Sequence, residues 1–365
     1  MPAFDVVVVG LGGMGSAAVA QTAMRGSRVL GLEQYQPAHP HGSSHGRSRV
    51  IRLAYFEDPA YVPLLRRAYE LWRKLEVDSG RRLLQITGGL MIGFPTSDVV
   101  SGTLRSAREH HLSHEVLDAA EIHRRFPPFV PPGGTVAVHE PEAGVVFPED
   151  AIRAHLDVAA RHGADLRFDE GVVGWRVAPD GSVQVTTARR QYEAGQLILT
   201  PGPWAPDLFQ YAVIPLSIEP QILYWFDPPG GAEPFAPGRF PVYIWDLGDG
   251  VQFYGFPADE EGRVKVAFYR SPHTNENAMR KVLDAYLPSL GGGRLVEQVS
   301  CRYTLTPDQH FVIGRHPEHP QVVIASPCSG HGYKFASVVG EILADLTRDG
   351  STRHPIGLFA PDRFS

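Results

Sequence analysis

Four clusters along this chain combine reactive side chains with glycines or strand ends. The first is His45-Gly46-Arg47-Ser48-Arg49-Val50-Ile51-Arg52. If helical, it places Arg49 and Arg52, three apart, on one face. Guanidinium groups beside a glycine-rich loop suit a small carboxylate, which they match bidentately. The alternative is a solvated basic turn that pairs with Glu57 or Asp58. The second cluster surrounds Lys265. Strand alternation groups it with Arg263 and Ala267, opposite Val264, Val266 and Phe268, which alone describes a solvated sheet face. The third runs from Cys301 to Asp308, where a strand cysteine reads first as a small buried hydrophobe. The fourth runs from Cys328 through Gly330-His331-Gly332 to Phe335. Glycines opening a helix after a buried strand make an anion site. His331 reads equally as a turn histidine bonded to backbone, and Lys334 as a surface residue of the first turn. Although there are 16 histidines, no H-E-x-x-H, His/Cys ligand spacing or carboxylate cage is present, so no metal site is expected. Neither a serine-nucleophile elbow nor a P-loop is present.

These clusters need a scaffold, and the first 33 residues supply its clearest part. Phe4 to Val9 reads as a buried strand, Gly10-Leu11-Gly12-Gly13-Met14-Gly15 as a tight turn into a helix, and Val29 to Leu32 as a second strand ending at Glu33. Gly10 permits the turn, Gly12 lets a pyrophosphate approach the backbone, and Gly15 lets the helix lie close to the sheet. The helix N-terminus offers free N–H groups to that pyrophosphate. Glu33, 18 residues after Gly15, is spaced to bond a ribose diol. The pattern predicts a dinucleotide site.

Further along, a His-, Gly- and Ser-rich loop spans 36–48, and apolar spacing predicts a helix over 61–77. Strands are expected around Gly88-Gly89, a helix from Pro148 to about His162, and strands over 164–168, 172–177, 183–187 and 196–200. Residues 214–269 read mostly as alternating strands and 274–290 as helical. Val322 to Ser326 is again a buried strand, followed by a glycine turn and a helix over 335–346. The expected fold is α/β: a Rossmann-like dinucleotide-binding domain built discontinuously from 1–83, 145–213 and 300–365, and a second α+β substrate domain with an antiparallel sheet from 84–144 and 214–299.

At 365 residues two domains are expected, and 43% apolar residues allow a substantial core. A net charge of −6 with no basic block argues against a nucleic-acid or anionic-membrane surface. A strand at Phe4 leaves no room for a signal peptide, and no apolar run reaches the length of a membrane span. The expectation is a soluble cytoplasmic protein. Two cysteines make no disulfide framework.

Taken in order, the four clusters resemble the monomeric sarcosine oxidase family, flavin-dependent amine oxidases related to D-amino-acid oxidase. The resemblance covers nearly the whole chain and is most specific from Cys301 to Lys334, through Tyr303-Thr304-Leu305-Thr306-Pro307-Asp308 and Ser329-Gly330-His331-Gly332. It implies FAD bound by Gly10, Gly12, Gly13, Met14, Gly15, Glu33, Ser43, Ser44, Ser48, Arg49, Gly330, His331, Gly332 and Lys334, and attached as an 8α-thioether to Cys301. It implies that Arg52 and Lys334 clamp the substrate carboxylate and that Lys265 activates oxygen. It implies that Tyr254 and Tyr303 line the substrate cavity and that His45, Ser48 and Arg49 pack beside the flavin ring. Tyr269 stands where sarcosine oxidases place an active-site histidine, which removes a titrating group from one wall. Ser48 replaces a threonine, Glu33 an aspartate, and Cys328 an apolar residue.

The implied reaction is oxidation of a secondary amino acid: hydride transfer to flavin, imine hydrolysis, and reduction of O2 to H2O2. Sarcosine, larger N-methyl amino acids and cyclic amino acids all present a carboxylate beside a secondary amine. The expected state is a monomer. Alternatives are an FAD amine dehydrogenase passing electrons to a protein acceptor, an NAD-linked dehydrogenase, which has no use for Cys301, and a non-catalytic flavin-binding module.

Overall fold

The computed structural model describes residues 3–209 and 214–364. Residues 210–213, which close the expected 145–213 segment, lie outside the described residues, as do 1, 2 and 365.

The first sheet is organised around the strand Phe4–Val9. It pairs in parallel with Val29–Leu32 on one side and with Gln191–Leu199 on the other. Asp165–Arg167 extends the parallel set at one edge, and Val322–Ser326 joins the far end of Gln191–Leu199. Helices Gly13–Met24, Pro148–Arg161 and Ala336–Asp349 cover one face. An antiparallel meander, Val172–Val177, Val183–Thr187 and the start of Gln191–Leu199, helps cover the other with Trp175 and Tyr192. Strands buried on both faces are near-continuous apolar runs, which is why Val6 to Val9 were legible.

The second sheet has eight strands, in the order Arg294–Leu305, Ser217–Asp227, Val264–Arg270, Gln252–Ala258, Val242–Asp246, Gly89–Gly93, Val136–Glu140 and Glu115–Asp118. It is antiparallel except where Val242–Asp246 meets Gly89–Gly93 in parallel. Helices Glu276–Tyr286 and Ala119–Arg125 pack against one face through Met279, Leu283 and Ile122. A small sheet of Arg49–Ile51, Gly144–Val146 and Leu84–Ile86 lies apart from both.

The structure corrects several expectations. Arg49–Ile51 is a strand, not a helix, because Val50 and Ile51 pair with Val145 and Gly144. Arg49 and Arg52 therefore do not share a helical face. The expected boundary at 299/300 falls inside Arg294–Leu305, which pairs along its length with Ser217–Asp227, so Cys301 belongs to the second sheet. The strand expected over 196–200 begins at Gln191, its polar first half pairing as a meander edge. No helix is expected from the sequence over 95–143, and two form there. One is Asp98–Glu109, with the Ser97 side chain accepting Val100 N–H, and the other is Ala119–Arg125, with an Asp118/Glu121 capping box.

Candidate functional site

The site grows from the glycine turn. Gly10 adopts φ +82°, and a Cβ there would come 2.6 Å from the Thr200 carbonyl oxygen. A Cβ on Gly15 would lie 1.8 Å from the Gly10 carbonyl oxygen, so only glycine brings the helix this near its strand. The helix Gly13–Met24 has no side-chain cap bond from its N-cap, Gly12. Its leading N–H groups face a cavity of about 380 Å³, with only Gly13 N–H directed to Ser44 Oγ at 3.2 Å. At one end of this cavity, Glu33 accepts Leu11 N–H at 2.8 Å and Tyr35 N–H at 3.1 Å, tying the acid to the glycine turn. Each carboxylate oxygen can still accept a ribose hydroxyl. Uncapped N–H groups, a glycine cradle and an acid at the strand end fit a dinucleotide cofactor.

The cavity continues from Gly10–Met14 past Ser43 and Ser44 to Cys301, and ends among Arg49, Arg52, Tyr254, Tyr269, Tyr303, Gly330–Gly332 and Lys334. The Cys301 Sγ lies 3.9 Å from Arg49 Nη2 and 3.8 Å from the Ser43 carbonyl oxygen. Arg49 also donates to the Ser43 and Ser48 carbonyls at 2.8 and 2.9 Å. The loop over 36–48 is thus tied to the second sheet through the Arg49 guanidinium. Ser43 Oγ adds a bond to the Arg302 carbonyl at 2.7 Å.

Arg52 is 1% exposed. Its Nη2 pairs with Glu57 Oε2 at 2.6 Å, its Nη1 donates to the Ala54 carbonyl at 2.9 Å, and its guanidinium lies 4.2 Å from the ring centres of Tyr55 and Phe56. The Nε has no partner. Arg52 pairs with Glu57, as one expectation had it, but in a buried wall of the cavity and not in a solvated turn. Against the penalty of burial, the Arg52 guanidinium, with His331 and Lys334 adding to it, holds the Glu57 carboxyl below its usual range. The segment after Arg52 is fixed by Glu140, whose carboxylate accepts Leu53 N–H at 2.6 Å and Ala54 N–H at 2.9 Å.

Lys334 is buried, not a surface residue of the first turn. Its Nζ donates to the His331 carbonyl at 2.7 Å and lies 3.5 Å from Tyr55 Oη. Burial, then the neighbouring Arg52 charge, pushes its ammonium down to about 7. His331 is a turn histidine bonded to backbone that also faces the cavity. Its ring is bonded through Nδ1 to Tyr55 Oη at 2.6 Å and through Nε2 to the Gln309 carbonyl at 3.0 Å.

Lys265 does not face solvent; it is 2% exposed. Its strand is covered on both faces, and its Nζ donates to the Gly46 and Ser48 carbonyls at 2.7 and 2.9 Å. Burial, with Arg49 next, drives its ammonium well below the usual lysine range. Lys265, His45 and Ser48 stand behind the cavity wall rather than on it. His45 is pushed down to about 4, by burial first and Arg49 second, so it is neutral. Gly15 likewise packs the helix and does not line the cavity. Cys328 lines the cavity as well, and burial raises its thiol to about 11. Tyr269 Oη donates to Glu57 Oε1 at 3.4 Å.

The sequence reading missed Tyr55, Glu140 and Glu149 and named Glu57 only as a pairing partner. Glu140 and Tyr55 carried no local signal, since their roles come from residues far away in the chain. Among the described residues no group of three or more His, Cys, Asp or Glu side chains gathers to hold a metal, and no helix is long and apolar enough to cross a membrane.

A Rossmann-type turn opening onto a cavity walled by buried cations and tyrosines defines a dinucleotide-dependent oxidoreductase. A family model described as FAD dependent oxidoreductase (DAO) matches residues 5–346, and the chain belongs to that family. Monomeric sarcosine oxidase of Streptomyces avermitilis is 49% identical over 380 residues, covering 100% of this chain and 98% of that protein. A monomeric sarcosine oxidase of Bacillus sp. is 36% identical, covering 99% and 96%. N-methyl-L-tryptophan oxidase of Yersinia pestis is 30% identical, covering 99% of each. The structure of NikD, an amino acid oxidase of nikkomycin biosynthesis, superposes with a TM-score of 0.85 at 27% identity over 98% of this chain and 97% of that one. L-Proline dehydrogenase from P. horikoshii, at 22% identity and a TM-score of 0.86, shares the fold.

Proposed function

We propose that this chain oxidises a secondary amino acid of the N-methyl or cyclic type, using FAD tethered at Cys301, and hands the electrons to O2 to give H2O2. One observation carries the reading: two buried cations, Arg52 and Lys334, converge with Tyr254, Tyr269 and Tyr303 on the cavity that starts at the glycine turn and passes Cys301. When bound, FAD supplies the hydride acceptor and the route of electrons to oxygen.

The chain's own residues bind and orient. Arg52 and Lys334 take the carboxylate, and Arg52 exchanges part of its contact with Glu57 for it. Their charge disfavours the ammonium form of the substrate nitrogen, and only the neutral amine has the lone pair the reaction needs. Tyr254, Tyr269 and Tyr303 exclude water and fix the amine's approach; positioning of this kind is worth several kcal/mol of barrier, on the order of 7–11 in well-oriented cases. Lys265 Nζ stands just behind the wall, fixed by the Gly46 and Ser48 carbonyls, where oxygen reduction calls for a preorganised donor. Ser43, Ser44, Glu33, Gly10, Gly12, Gly13 and Met14 hold the cofactor, while Ser48 buttresses the wall through Lys265 and Gly15 packs its helix. In this reading the first sheet with its helices is the FAD domain, the second sheet is the substrate domain, and the chain acts as a cytoplasmic monomer.

The test is an anaerobic bleaching screen of the yellow holoenzyme across sarcosine, N-methyl amino acids with larger side chains, proline and pipecolate. A flavin that stays with the acid-precipitated wild-type chain but leaves Cys301→Ser supports the tether. Failure of every secondary amino acid to bleach would overturn the activity. Peroxide formed in proportion to amine consumed supports an oxidase, and its absence in air would overturn the oxygen assignment.

A further inference from the structure

The chain holds a second cavity of about 500 Å³, separate in character from the first. Charged and polar groups line it, among them Asp98, Arg105, Arg270, Asp308 and His310. Only Glu57 and His331 line both cavities. Between them runs a chain of bonded groups. Lys334 Nζ, on the first cavity, lies 3.5 Å from Tyr55 Oη, and Tyr55 Oη lies 2.6 Å from His331 Nδ1. The His331 ring then reaches the Gln309 carbonyl through Nε2 at 3.0 Å, and Gln309 lines the second cavity. A carbonyl only accepts, so Nε2 carries the hydrogen and Nδ1 accepts from Tyr55.

We propose that Tyr55 and His331 form a proton path that takes the amine proton of a bound zwitterionic amino acid from Lys334 to the polar second cavity. The proposal rests on the amine-oxidation reading and adds where the proton goes. An amino acid arrives from neutral water with a protonated nitrogen, and that proton must leave before the lone pair is available. The first cavity offers few ways out. Arg52 does not titrate, and the phenols of buried Tyr269 and half-buried Tyr254 and Tyr303 are held above their usual range by desolvation. Glu57 is paired with Arg52, which makes it a poor base. Among the described groups on the substrate end, Lys334 is the amine, and its Nζ lies 3.5 Å from Tyr55 Oη.

The step balances without electron transfer. The substrate N–H bond breaks and its proton bonds to Lys334 Nζ, which has given its own proton to Tyr55 Oη. Tyr55 passes its hydroxyl proton to His331 Nδ1, and the imidazolium releases the Nε2 proton to water in the second cavity. The ring, left with its hydrogen on Nδ1, resets when it turns about its Cβ–Cγ bond, gives that hydrogen to water in the second cavity, takes one back on Nε2 and turns again to face Tyr55. Tyr55 suits the middle position because a hydroxyl donates and accepts at once. The Arg52 guanidinium, 4.2 Å from its ring centre, and Phe335 at its edge hold it in place. The charged and titratable groups facing Lys334 are Arg52, Glu57, Arg49, Tyr55 and His331. Those facing His331 are Glu57, Lys334, Arg52, Tyr55 and Tyr61. Burial holds the His331 ring neutral at rest, down at about 4, so it serves as a relay and not as a store.

The test is the pH profile of anaerobic flavin reduction in the holoenzyme with Tyr55→Phe, which removes one oxygen and keeps the ring. Reduction is to slow about 100-fold or more near neutral pH, the low end of what positioned proton transfer contributes, and the deficit is to close in alkali where the amine arrives unprotonated. His331→Gln, which breaks the path one link further on, is to give the same pH-dependent loss. A second readout needs no turnover: in 15N-histidine spectra of the holoenzyme, His331 is to appear as the Nε2–H tautomer, with an Nδ1 resonance displaced by Tyr55→Phe. A deficit of equal size at every pH, or no deficit, overturns the path while leaving amine oxidation intact. A wild-type enzyme that no secondary amino acid reduces at any pH overturns both.

Discussion

Glu149 and Lys265 grip one residue, Gly46, from its two sides. Glu149 Oε1 accepts the Gly46 N–H at 2.7 Å, and Lys265 Nζ donates to the Gly46 carbonyl at 2.7 Å. Gly46 sits at φ +93°, and a Cβ there would meet Leu223 Cδ1 at 2.6 Å. The loop that carries Ser43, Ser44 and Arg49 to the cavity is therefore anchored by an acid from the helix Pro148–Arg161 and a lysine from the second sheet.

The first prediction follows from that anchor. Lys265→Met keeps the apolar stem and removes the amine donor. Reoxidation of the reduced enzyme by O2 is expected to slow by about 100-fold or more, the range for deleting one preorganised electrostatic group. Reduction by amine should change far less. Stopped-flow measurement of the two half-reactions checks this, and equal slowing of both counts against the role. The Gly46 and Ser48 carbonyls also lose their donor, so stability should fall by about 1–3 kcal/mol.

Arg52→Ala is expected to raise the KM for the amino acid strongly, with a smaller effect on a substrate analogue lacking the carboxylate. The same change leaves Glu57 buried without its 2.6 Å partner. Arg52→Lys should rescue only part of the binding, because a point charge does not reproduce the bidentate fork. Unchanged saturation behaviour in Arg52→Ala would remove this residue from the carboxylate site.

The sequence displayed the parts of this site that are local and hid those that are not. Gly10 to Gly15, Val322 to Ser326 and the turn through Gly332 announce themselves because the constraint on each is within a few residues. Lys265 did not, because strand alternation describes one sheet's two faces and cannot see the loop over 36–48 folding onto the second face. Spacing left open whether Arg49 and Arg52 lie on a helix; pairing of Arg49 to Ile51 with Val146 to Gly144, nearly a hundred positions away, makes that segment a strand. Glu140 and Tyr55 gave no signal at all. Their partners, the Leu53 and Ala54 amides and the His331 ring, are assembled only by the fold.

Stability should depend on pH through the buried histidines. Burial holds His155 down to about 3, and His45 and His331 down to about 4, from an ordinary value near 6.5. Between 6.5 and about 4 the unfolded chain binds these protons and the folded chain does not. Stability therefore rises with pH through this window and falls on acidification, by about 1.4 kcal/mol per histidine for each pH unit crossed. Thermal unfolding at pH 7.5 and near pH 5 checks the sign. His155, packed on Trp72 in the apolar core and away from the cavity, allows a clean control. His155→Leu should reduce the acid sensitivity without altering amine oxidation. Unchanged acid sensitivity in that variant would exclude His155 as a source of it.

The last prediction concerns the packing that aims the cofactor helix. Gly340, in the helix Ala336–Asp349, lies against Ala17 of the helix Gly13–Met24. A Cβ at Gly340 would stand 2.6 Å from both the Ala17 carbonyl carbon and its Cβ. Backbone atoms cannot swing aside as a flexible side chain would, so the two helices must separate. Overpacking of this kind costs about 1–3 kcal/mol. Because the displaced helix presents its N-terminus to the cavity, Gly340→Ala should lower both the melting temperature and the fraction of purified chains carrying flavin. Gly133→Ala is the matched control: its Cβ would meet nothing within 4 Å, and its φ lies outside the left-handed region. That variant should change stability by no more than about 0.5 kcal/mol and leave flavin content as it was. A Gly340→Ala protein with wild-type melting and full flavin would mean that the helix contact does not set the geometry of the cofactor site.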